Sequence, residues 1–216
     1  CLFYSEISDN IGHGVLVNFF TGKYHSPIEE ERIFMFLDMK SSTAIAEKLG
    51  HVKYFELLKE FYSDFTDAII NHSGEIYQYV GDEVVISWPT KKGVRNNNCL
   101  DCFFSMKDAL QIRSKYYQDQ YGVIPTFKAG MHLGSVTTGE IGVLKKEIIF
   151  TGDILNTTAR IQGLCNDYSV DLLLSIDLRD KLSINNSLTV KSIGSKELKG
   201  RTKKVDLCTI TNTAED

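Results

Sequence analysis

The stretch that decides the fold is IFMFLDMKSST, which runs from Ile33 to Thr43. Its first five residues are apolar, as expected of a strand that is buried on both faces of a sheet. The strand delivers one carboxylate, Asp38, to its C-terminal end, and the Ser-Ser-Thr cluster that follows is typical of the start of a helix. We therefore predict a buried strand over 32–38 with an acidic side chain where the chain leaves the sheet.

A second carboxylate arrives in the same way, at a turn between two predicted strands. The run 75–80 leads into Gly81 and Asp82, and the apolar run 84–88 follows, which predicts a β-hairpin. If the strands pair, the carboxylates of Asp38 and Asp82 lie side by side. Since they would otherwise repel each other, we interpret them as holding metal cations between them; the alternative is that both only cap turns.

The rest of the chain alternates between helical and strand patterns. Predicted helices end near Asn71 and Gln120, a third begins at Asp153, and the polar residues 91–98 are predicted to form a loop. The predicted strands after the hairpin cover 127–132, 147–150, 171–175, 188–193 and 205–210. The order βαββαβ predicts an α+β fold with a ferredoxin-like core, helices on one face of its sheet, and an extension of C-terminal strands.

Two of the predicted helices carry apolar stripes that should face the core. The first helix has such residues at spacings of three and four: Phe55, Leu58, Tyr62, Phe65 and Ile69. In the second helix the inward residues are predicted to be Leu100, Phe103, Met106, Leu110 and Tyr117. Both helices are therefore expected to pack on the sheet.

The composition bounds the class of protein and its partners. The 216 residues are 43% hydrophobic, enough for a full globular core. A net charge of −4 argues against binding to nucleic acid, which favours a basic surface. No apolar stretch approaches the roughly 20 residues that a membrane-spanning helix needs. The five cysteines form no disulfide framework, and Cys99 and Cys102 have CxxC spacing without a second pair, so we interpret the thiols as structural and the compartment as reducing.

Residues 1–31 differ in character from the rest of the chain. They contain Gly12, Gly14, Gly22 and Pro27 and end in an acidic run at 29–31, as is typical of a linker or transducing segment. Because the chain begins at Cys1 rather than at a methionine, we expect a piece of a longer protein, with a sensor or membrane segment upstream. The expected location is the cytoplasm, either of a free protein or of the cytoplasmic domain of a membrane-anchored one.

Four separated motifs occur in one order along the chain: FLDMKSST at 36–43, GDE at 81–83, KAGMHLG at 128–134 and NTTAR at 156–160. Together they resemble the class III nucleotidyl cyclase catalytic domain, the homology domain of adenylyl and guanylyl cyclases, over residues 32–212. The resemblance implies the sheet of that family with helices packed around it. It also implies a metal-dependent enzyme that converts ATP to 3′,5′-cyclic AMP and pyrophosphate by in-line attack of the ribose 3′-hydroxyl.

The resemblance assigns a role to residues in each motif. Asp38, Asp82 and the backbone carbonyl of Met39 would hold two divalent cations, Mg²⁺ or Mn²⁺. Asn156 would orient the ribose and Arg160 would stabilise charge on the α-phosphate; at positions i and i+4 they project from one face of a helix. For the terminal phosphates the candidates are Lys128 and Lys199.

The positions that read the purine base depart from the family pattern. Adenylyl cyclases have a lysine four residues before the second metal aspartate and an Asp or Thr seven residues before the asparagine; here these positions hold Gln78 and Ile149. Glutamine can donate and accept hydrogen bonds, whereas Ile149 can do neither with its side chain, although Thr151 is close. ATP is the favoured substrate, and the alternative is a guanylyl or loosely selective purine nucleotidyl cyclase.

The resemblance also implies an assembly. In the family the metal aspartates and the asparagine–arginine pair act in one site from opposite subunits, so a chain with both halves implies a homodimer with two equivalent sites. A catalytically weak nucleotide-binding dimerisation module is an alternative, supported by Gln78 and Ile149. An enzyme that makes a cyclic dinucleotide is disfavoured because its GG[D/E]EF signature is missing from the hairpin, where 80–84 is VGDEV.

Overall fold

The computed structural model describes residues 24–143, 146–185, 187–198 and 204–212. The described strands are β1 (Ile28–Met39), β2 (Glu75–Val80), β3 (Glu83–Pro89), β4 (Phe127–Ile141), β5 (Glu147–Thr151), β6 (Leu172–Ser175), β7 (Leu188–Lys196) and β8 (Val205–Asn212). The described helices are α1 (Ser42–Leu49), α2 (His51–Asn71), α3 (Thr90–Val94), a 3₁₀ turn (Arg95–Asn97), α4 (Asn98–Ile112), α5 (Ser114–Tyr121), α6 (Asp153–Gly163), α7 (Cys165–Tyr168) and α8 (Ile176–Arg179).

The described strands form one mixed sheet with β1 near its centre. The order is β2-β3-β1-β4-β6-β8-β7, and β5 pairs with β4 at the far end of that long strand. β1 is antiparallel to both β3 and β4, so that Asp38 lies opposite Glu83 on one side and Lys128 on the other. The β2-β3-β1-β4 part is the predicted ferredoxin-like core, and the predicted C-terminal strands extend it, which confirms the α+β fold.

The two faces of β1 pack against different helices. Ile33, Met35 and Leu37 belong to the main hydrophobic core, which also contains the buried sides of α2, α4 and α5. Phe34 and Phe36 point to the other face and pack in a smaller cluster with residues of α6. Helices α2 and α4 therefore share one face of the core sheet, as predicted, while α6 covers the opposite face.

The inward stripe of the second predicted helix is confirmed, and that of the first is wrong at one position. Leu100, Phe103, Met106, Leu110 and Tyr117 are all buried. Phe55, in contrast, is 65% exposed. The buried face of α2 centres on Leu57, Phe61 and Phe65, and at roughly 100° per residue Phe55 falls on the flank of that face.

Several element bounds differ from the sequence prediction. β1 begins at Ile28, so the acidic residues 29–31 belong to the sheet rather than to a free linker. The first helix is divided at Gly50, where φ is +76°, and the second is divided at Arg113. Residues 91–98, predicted to be a loop, contain most of the short helix α3 and then the 3₁₀ turn, where Asn96 and Asn97 have positive φ. These differences concern the residues at which elements begin, end or are interrupted, and the spacing of apolar residues does not define such boundaries.

The described cysteines are structural, as predicted. Cys99, Cys102, Cys165 and Cys208 are free and buried. Burial raises the pKa of the Cys208 thiol to about 11 and that of the Cys99 thiol to about 12, so neither is a thiolate at neutral pH. The helical CxxC pair is thus part of the core. Across the described ranges, we find no helix with the length and apolar character to cross a bilayer.

Two glycines of β4 let α6 approach the sheet closely. A Cβ atom at Gly130 would lie 2.3 Å from the backbone nitrogen of Gln162, and one at Gly134 would lie 3.2 Å from Cδ1 of Ile154. Both glycines belong to the KAGMHLG motif. They therefore determine how close α6 lies to the sheet, including the end of β1 that carries Asp38.

Replacing Gly130 by alanine is expected to destabilise the protein by about 3 kcal/mol or more, because backbone atoms of α6 cannot yield to the new methyl group as a flexible side chain would. Chemical denaturation with urea measures the change. Gly163→Ala is the matched control, since a Cβ there meets nothing within 4 Å. A G130A protein as stable as G163A would show that the contact between α6 and β4 is not this close.

Candidate functional site

The two predicted aspartates meet at one end of the sheet. Asp38 is at the C-terminal end of β1, and Asp82 is in the turn between β2 and β3. The Met39 amide donates a hydrogen bond to the Asp82 carbonyl over 3.4 Å, and the two carboxyl groups lie within hydrogen-bonding distance of each other. The pairing of β1 with β3 thus brings Asp38, Met39 and Asp82 together, as the sequence predicted.

The Gly81–Asp82 turn is held by side chains from two helices. Gly81 has φ of +63°, a conformation that favours glycine. From α2, the Tyr62 hydroxyl donates a 2.9 Å hydrogen bond to the Gly81 carbonyl, and the Tyr62 ring lies 4.6 Å from that of Tyr79. The Ser42 hydroxyl at the start of α1 hydrogen-bonds the Asp82 carboxylate. The position of Asp82 is therefore determined by the core helices as well as by the hairpin.

The acidic groups are too close to ionise independently. Burial raises the pKa of Asp38, and the hydrogen bond and charge of Asp82 raise it further, while Lys128 opposes the shift. Burial acts to raise the pKa of Asp82 too, but hydrogen bonds with Ser42, Asp38 and the backbone, together with the charge of Lys128, lower it overall. Burial and both aspartates raise the pKa of Glu83. Without a cation, Asp38 therefore keeps its proton to a higher pH than a free carboxylic acid would.

The oxygen atoms at this site suit a hard divalent cation. Mg²⁺ and Mn²⁺ prefer carboxylate and carbonyl oxygen, and a cation would relieve the repulsion between Asp38 and Asp82. Within the described residues no group of three or more His, Cys, Asp or Glu side chains is arranged to bind a metal. The protein ligands here would be the two carboxylates with a backbone carbonyl such as that of Met39, which leaves positions for substrate oxygens.

Two side chains approach the same oxygen of Asp38. The Lys128 ammonium, on the neighbouring strand β4, lies 3.4 Å from Oδ2. The Gln162 side-chain amide, from α6, donates a hydrogen bond to Oδ2 over 3.3 Å. Lys128, a predicted phosphate ligand, is thus at the acid pair, whereas the other predicted one, Lys199, lies outside the described residues.

Asn156 and Arg160 do not join the acid pair of their own chain. The side of α6 that packs on the sheet includes Ile154, Thr158 and Ile161, and at roughly 100° per residue Asn156 and Arg160 lie on the opposite side. Neither has a hydrogen bond or ion pair with Asp38 or Asp82, and Asn156 is exposed. The structure therefore separates the predicted catalytic pair from the predicted metal ligands of the same chain.

The predicted base-reading residues lie on two strands that are tied together. Next to Gln78 on β2, the ring of Tyr77 packs 4.9 Å from that of Phe150, which follows Ile149 on β5. The Phe150 amide donates a 3.4 Å hydrogen bond to the Tyr77 hydroxyl. Gln78 is exposed and Ile149 is half-buried.

Thr151, the third predicted base-reading residue, is already engaged. Its side chain is exposed, and its hydroxyl donates a hydrogen bond to the Thr137 carbonyl over 3.3 Å. Its oxygen can still accept a hydrogen bond, but its proton has a partner within the sheet. Of the three residues, Gln78 is therefore the one with an exposed donor and acceptor.

Sequence reasoning missed Gln162 and the polar role of Tyr62. Gln162 is 7% exposed, although glutamine is rarely buried. A signal was present, because Gln162 follows Ile154, Thr158 and Ile161 on the buried stripe of α6 at helical spacing. A polar residue on such a stripe needs a partner, yet the sequence does not say which one.

Comparison with known proteins identifies a family that this chain matches. A family model for the adenylate and guanylate cyclase catalytic domain matches residues 25–211. Adenylate cyclase 2 of Rhizobium meliloti (strain 1021) is 33% identical over 210 residues, which is 97% of this chain and 58% of the relative. Adenylate cyclase 1 of the same organism is 24% identical over 82% of this chain and 27% of its own length. The chain thus spans less than two thirds of the length of each of these relatives.

Solved structures share the fold. A bacterial light-regulated adenylyl cyclase superposes with a TM-score of 0.83 at 18% identity, over 97% of this chain and 61% of that one. The adenylyl cyclase CyaB from P. aeruginosa gives a TM-score of 0.74 at 16% identity, over 87% of this chain and 96% of that one. At these identities the likeness concerns the fold alone.

Proposed function

This chain belongs to the family of adenylate and guanylate cyclase catalytic domains, and we propose that it converts ATP to 3′,5′-cyclic AMP and pyrophosphate. The observation that carries the proposal is the meeting of Asp38 and Asp82 beside Lys128, at the end of β1. Two adjacent carboxylates with an ammonium group next to them form a site for cations and a phosphate chain.

The reaction is an intramolecular displacement at the α-phosphorus. The ribose 3′-oxygen gives its proton to solvent water and forms a bond to the α-phosphorus, and the bond from that phosphorus to the oxygen leading to the β-phosphate breaks. Pyrophosphate leaves with the electron pair of that bond. Because nucleophile and electrophile belong to one molecule, the protein has to hold a reactive conformer and stabilise charge rather than bring two reactants together.

Residues of this chain are proposed to hold the reactive conformer and to stabilise the charge. Cyclase domains of this family depend in general on metal ions, and Asp38, Asp82 and the Met39 carbonyl would hold two of them, Mg²⁺ or Mn²⁺. Such ions, when bound, lower the pKa of the 3′-hydroxyl and neutralise charge on the triphosphate. Lys128, which lies 3.4 Å from Asp38, is proposed to exchange this contact for one with a terminal phosphate oxygen. Lys199 is proposed as a second phosphate ligand on the family resemblance.

Asn156 and Arg160 are proposed to act in the site of a second copy of the chain. Their side of α6 faces away from their own acid pair, so a partner's aspartates are the ones that they can meet. Asn156 would orient the ribose, and the planar guanidinium of Arg160 would stabilise charge on the α-phosphate. Cyclase domains of this family act as dimers that bind nucleotides, and a homodimer of this chain would contain two equivalent sites.

ATP is the proposed substrate rather than GTP. The support is that the two relatives at 33% and 24% identity are adenylate cyclases. Gln78 can serve the adenine edge because its amide both donates and accepts. Ile149 offers only apolar contact, so we propose that Gln78, with the accepting oxygen of Thr151, carries the hydrogen bonds to the base.

Residues 1–31 are proposed to transmit a signal from an upstream sensor to a catalytic domain over 32–212, on the cytoplasmic side of any membrane. The support is that the described end of this segment is attached to the sheet. The Glu140 amide donates a 3.0 Å hydrogen bond to the Tyr24 carbonyl, and residues 28–31 pair with β4. A displacement of the segment would therefore pull on the strand that carries Lys128.

The test is a direct assay of the purified chain. The chain is incubated with Mn²⁺ and ATP and, in a separate reaction, with Mn²⁺ and GTP. More cyclic AMP should form from ATP than cyclic GMP from GTP, each with pyrophosphate, and EDTA should abolish both products. Cyclic GMP in excess would make the chain a guanylyl cyclase. ATP binding by calorimetry without turnover, from a chain shown to be dimeric, would instead identify a nucleotide-binding dimerisation module.

A further inference from the structure

Gln162 is a buried polar side chain whose hydrogen bond ends on a proposed metal ligand. Its side-chain amide donates to Oδ2 of Asp38 over 3.3 Å, across 124 residues of sequence. Its backbone packs against Gly130 so closely that no Cβ fits between them. The helix and the strand thus hold the donor at one height above Asp38.

We propose that Gln162 is a positioning residue that fixes the Asp38 carboxylate for cation binding. The proposal rests on the proposed function, since it assumes that Asp38 is a metal ligand. Residues that hydrogen-bond a metal ligand orient it and tune its affinity for the metal. Here the amide is neutral, so it orients the carboxylate without cancelling the charge that a cation needs.

Lys128 cannot replace Gln162 in this role. Its ammonium contacts the same oxygen at 3.4 Å, but a lysine is a flexible point charge and is needed for the phosphates in the proposed reaction. Once Lys128 turns to a phosphate, the donor that remains on Oδ2 among the described contacts is Gln162. The carboxylate therefore keeps its orientation through the exchange because of α6.

The experiment compares Mn²⁺ binding by wild type, Gln162→Met and Gln118→Met. Methionine keeps the length and helix preference of glutamine but has no donor, and Gln118 is an exposed residue of α5 that serves as the control. Free Mn²⁺ is followed by electron paramagnetic resonance without nucleotide. We expect the Kd of Q162M for Mn²⁺ to rise about 10-fold with little change in melting temperature, and that of Q118M to match wild type.

A folded Q162M protein with a Kd for Mn²⁺ within twofold of wild type would overturn the inference. If Q162M does not fold, NMR of wild type decides: the side-chain amide resonances of Gln162 should shift as Mg²⁺ is added, and constant resonances would refute the role. Failure of the proposed function looks different, because wild type would then bind Mn²⁺ in a Gln162-dependent way but make no cyclic nucleotide.

Discussion

Asp82→Asn is expected to reduce cyclic AMP formation by a factor on the order of 10³ or more, because an amide cannot supply the charge that holds divalent cations beside Asp38. The fold should survive, since asparagine can still accept the hydrogen bond from Ser42 and the repulsion between the two acids disappears. The measurements are the initial rate with Mn²⁺ and ATP, and the melting temperature in EDTA.

A matched control is Asp119→Asn, at an exposed position of α5. It removes the same charge outside the acid pair and should leave the rate unchanged. A D82N protein with more than a tenth of wild-type activity would show that Asp82 is not a metal ligand of the reaction.

Arg160→Ala is expected to lower kcat by about 10²- to 10³-fold, the loss typical of removing a donor that acts on transition-state charge. Mn²⁺ binding without nucleotide should stay near that of wild type, since Arg160 has no contact with the acid pair of its own chain. Arg95→Ala, at an exposed arginine, is the control for loss of a positive charge.

The decisive experiment tests whether the two inactive variants complement each other in a mixed dimer. If D82N and R160A chains are co-expressed in equal amounts and pair at random, about half of the dimers are mixed, and each mixed dimer contains one intact site. About a quarter of wild-type activity should therefore return. If the aspartates and Arg160 acted within one chain, every site would retain a defect and no activity would return.

The core of this fold could be predicted from sequence because its signals are local. The apolar run before Asp38 and the turn at Gly81 and Asp82 each specify a strand end within a few residues. Once β1 pairs with β3 in the one register that buries both faces, the carboxylates must meet. The motif resemblance then supplied the chemistry.

Other features depended on contacts between distant residues. The flank position of Phe55 follows from which turn of α2 meets the sheet, and apolar spacing does not reveal it. The tie between β2 and β5 through Tyr77 and Phe150 requires the sheet to bring two non-adjacent strands together. Neither is encoded in a window of sequence, because side-chain partners are chosen by the packing of whole elements.

Local patterns in the sequence identify two acids at strand ends and an asparagine–arginine pair on one helix face. The direction in which that face points depends on how α6 packs on the sheet. Gly130 and Gly134 let α6 lie flat on β4, which buries Gln162 on Asp38 and turns Arg160 outward. The physical reason is that helical spacing tells which residues share a face, whereas the close approach of backbone to backbone decides which face is buried.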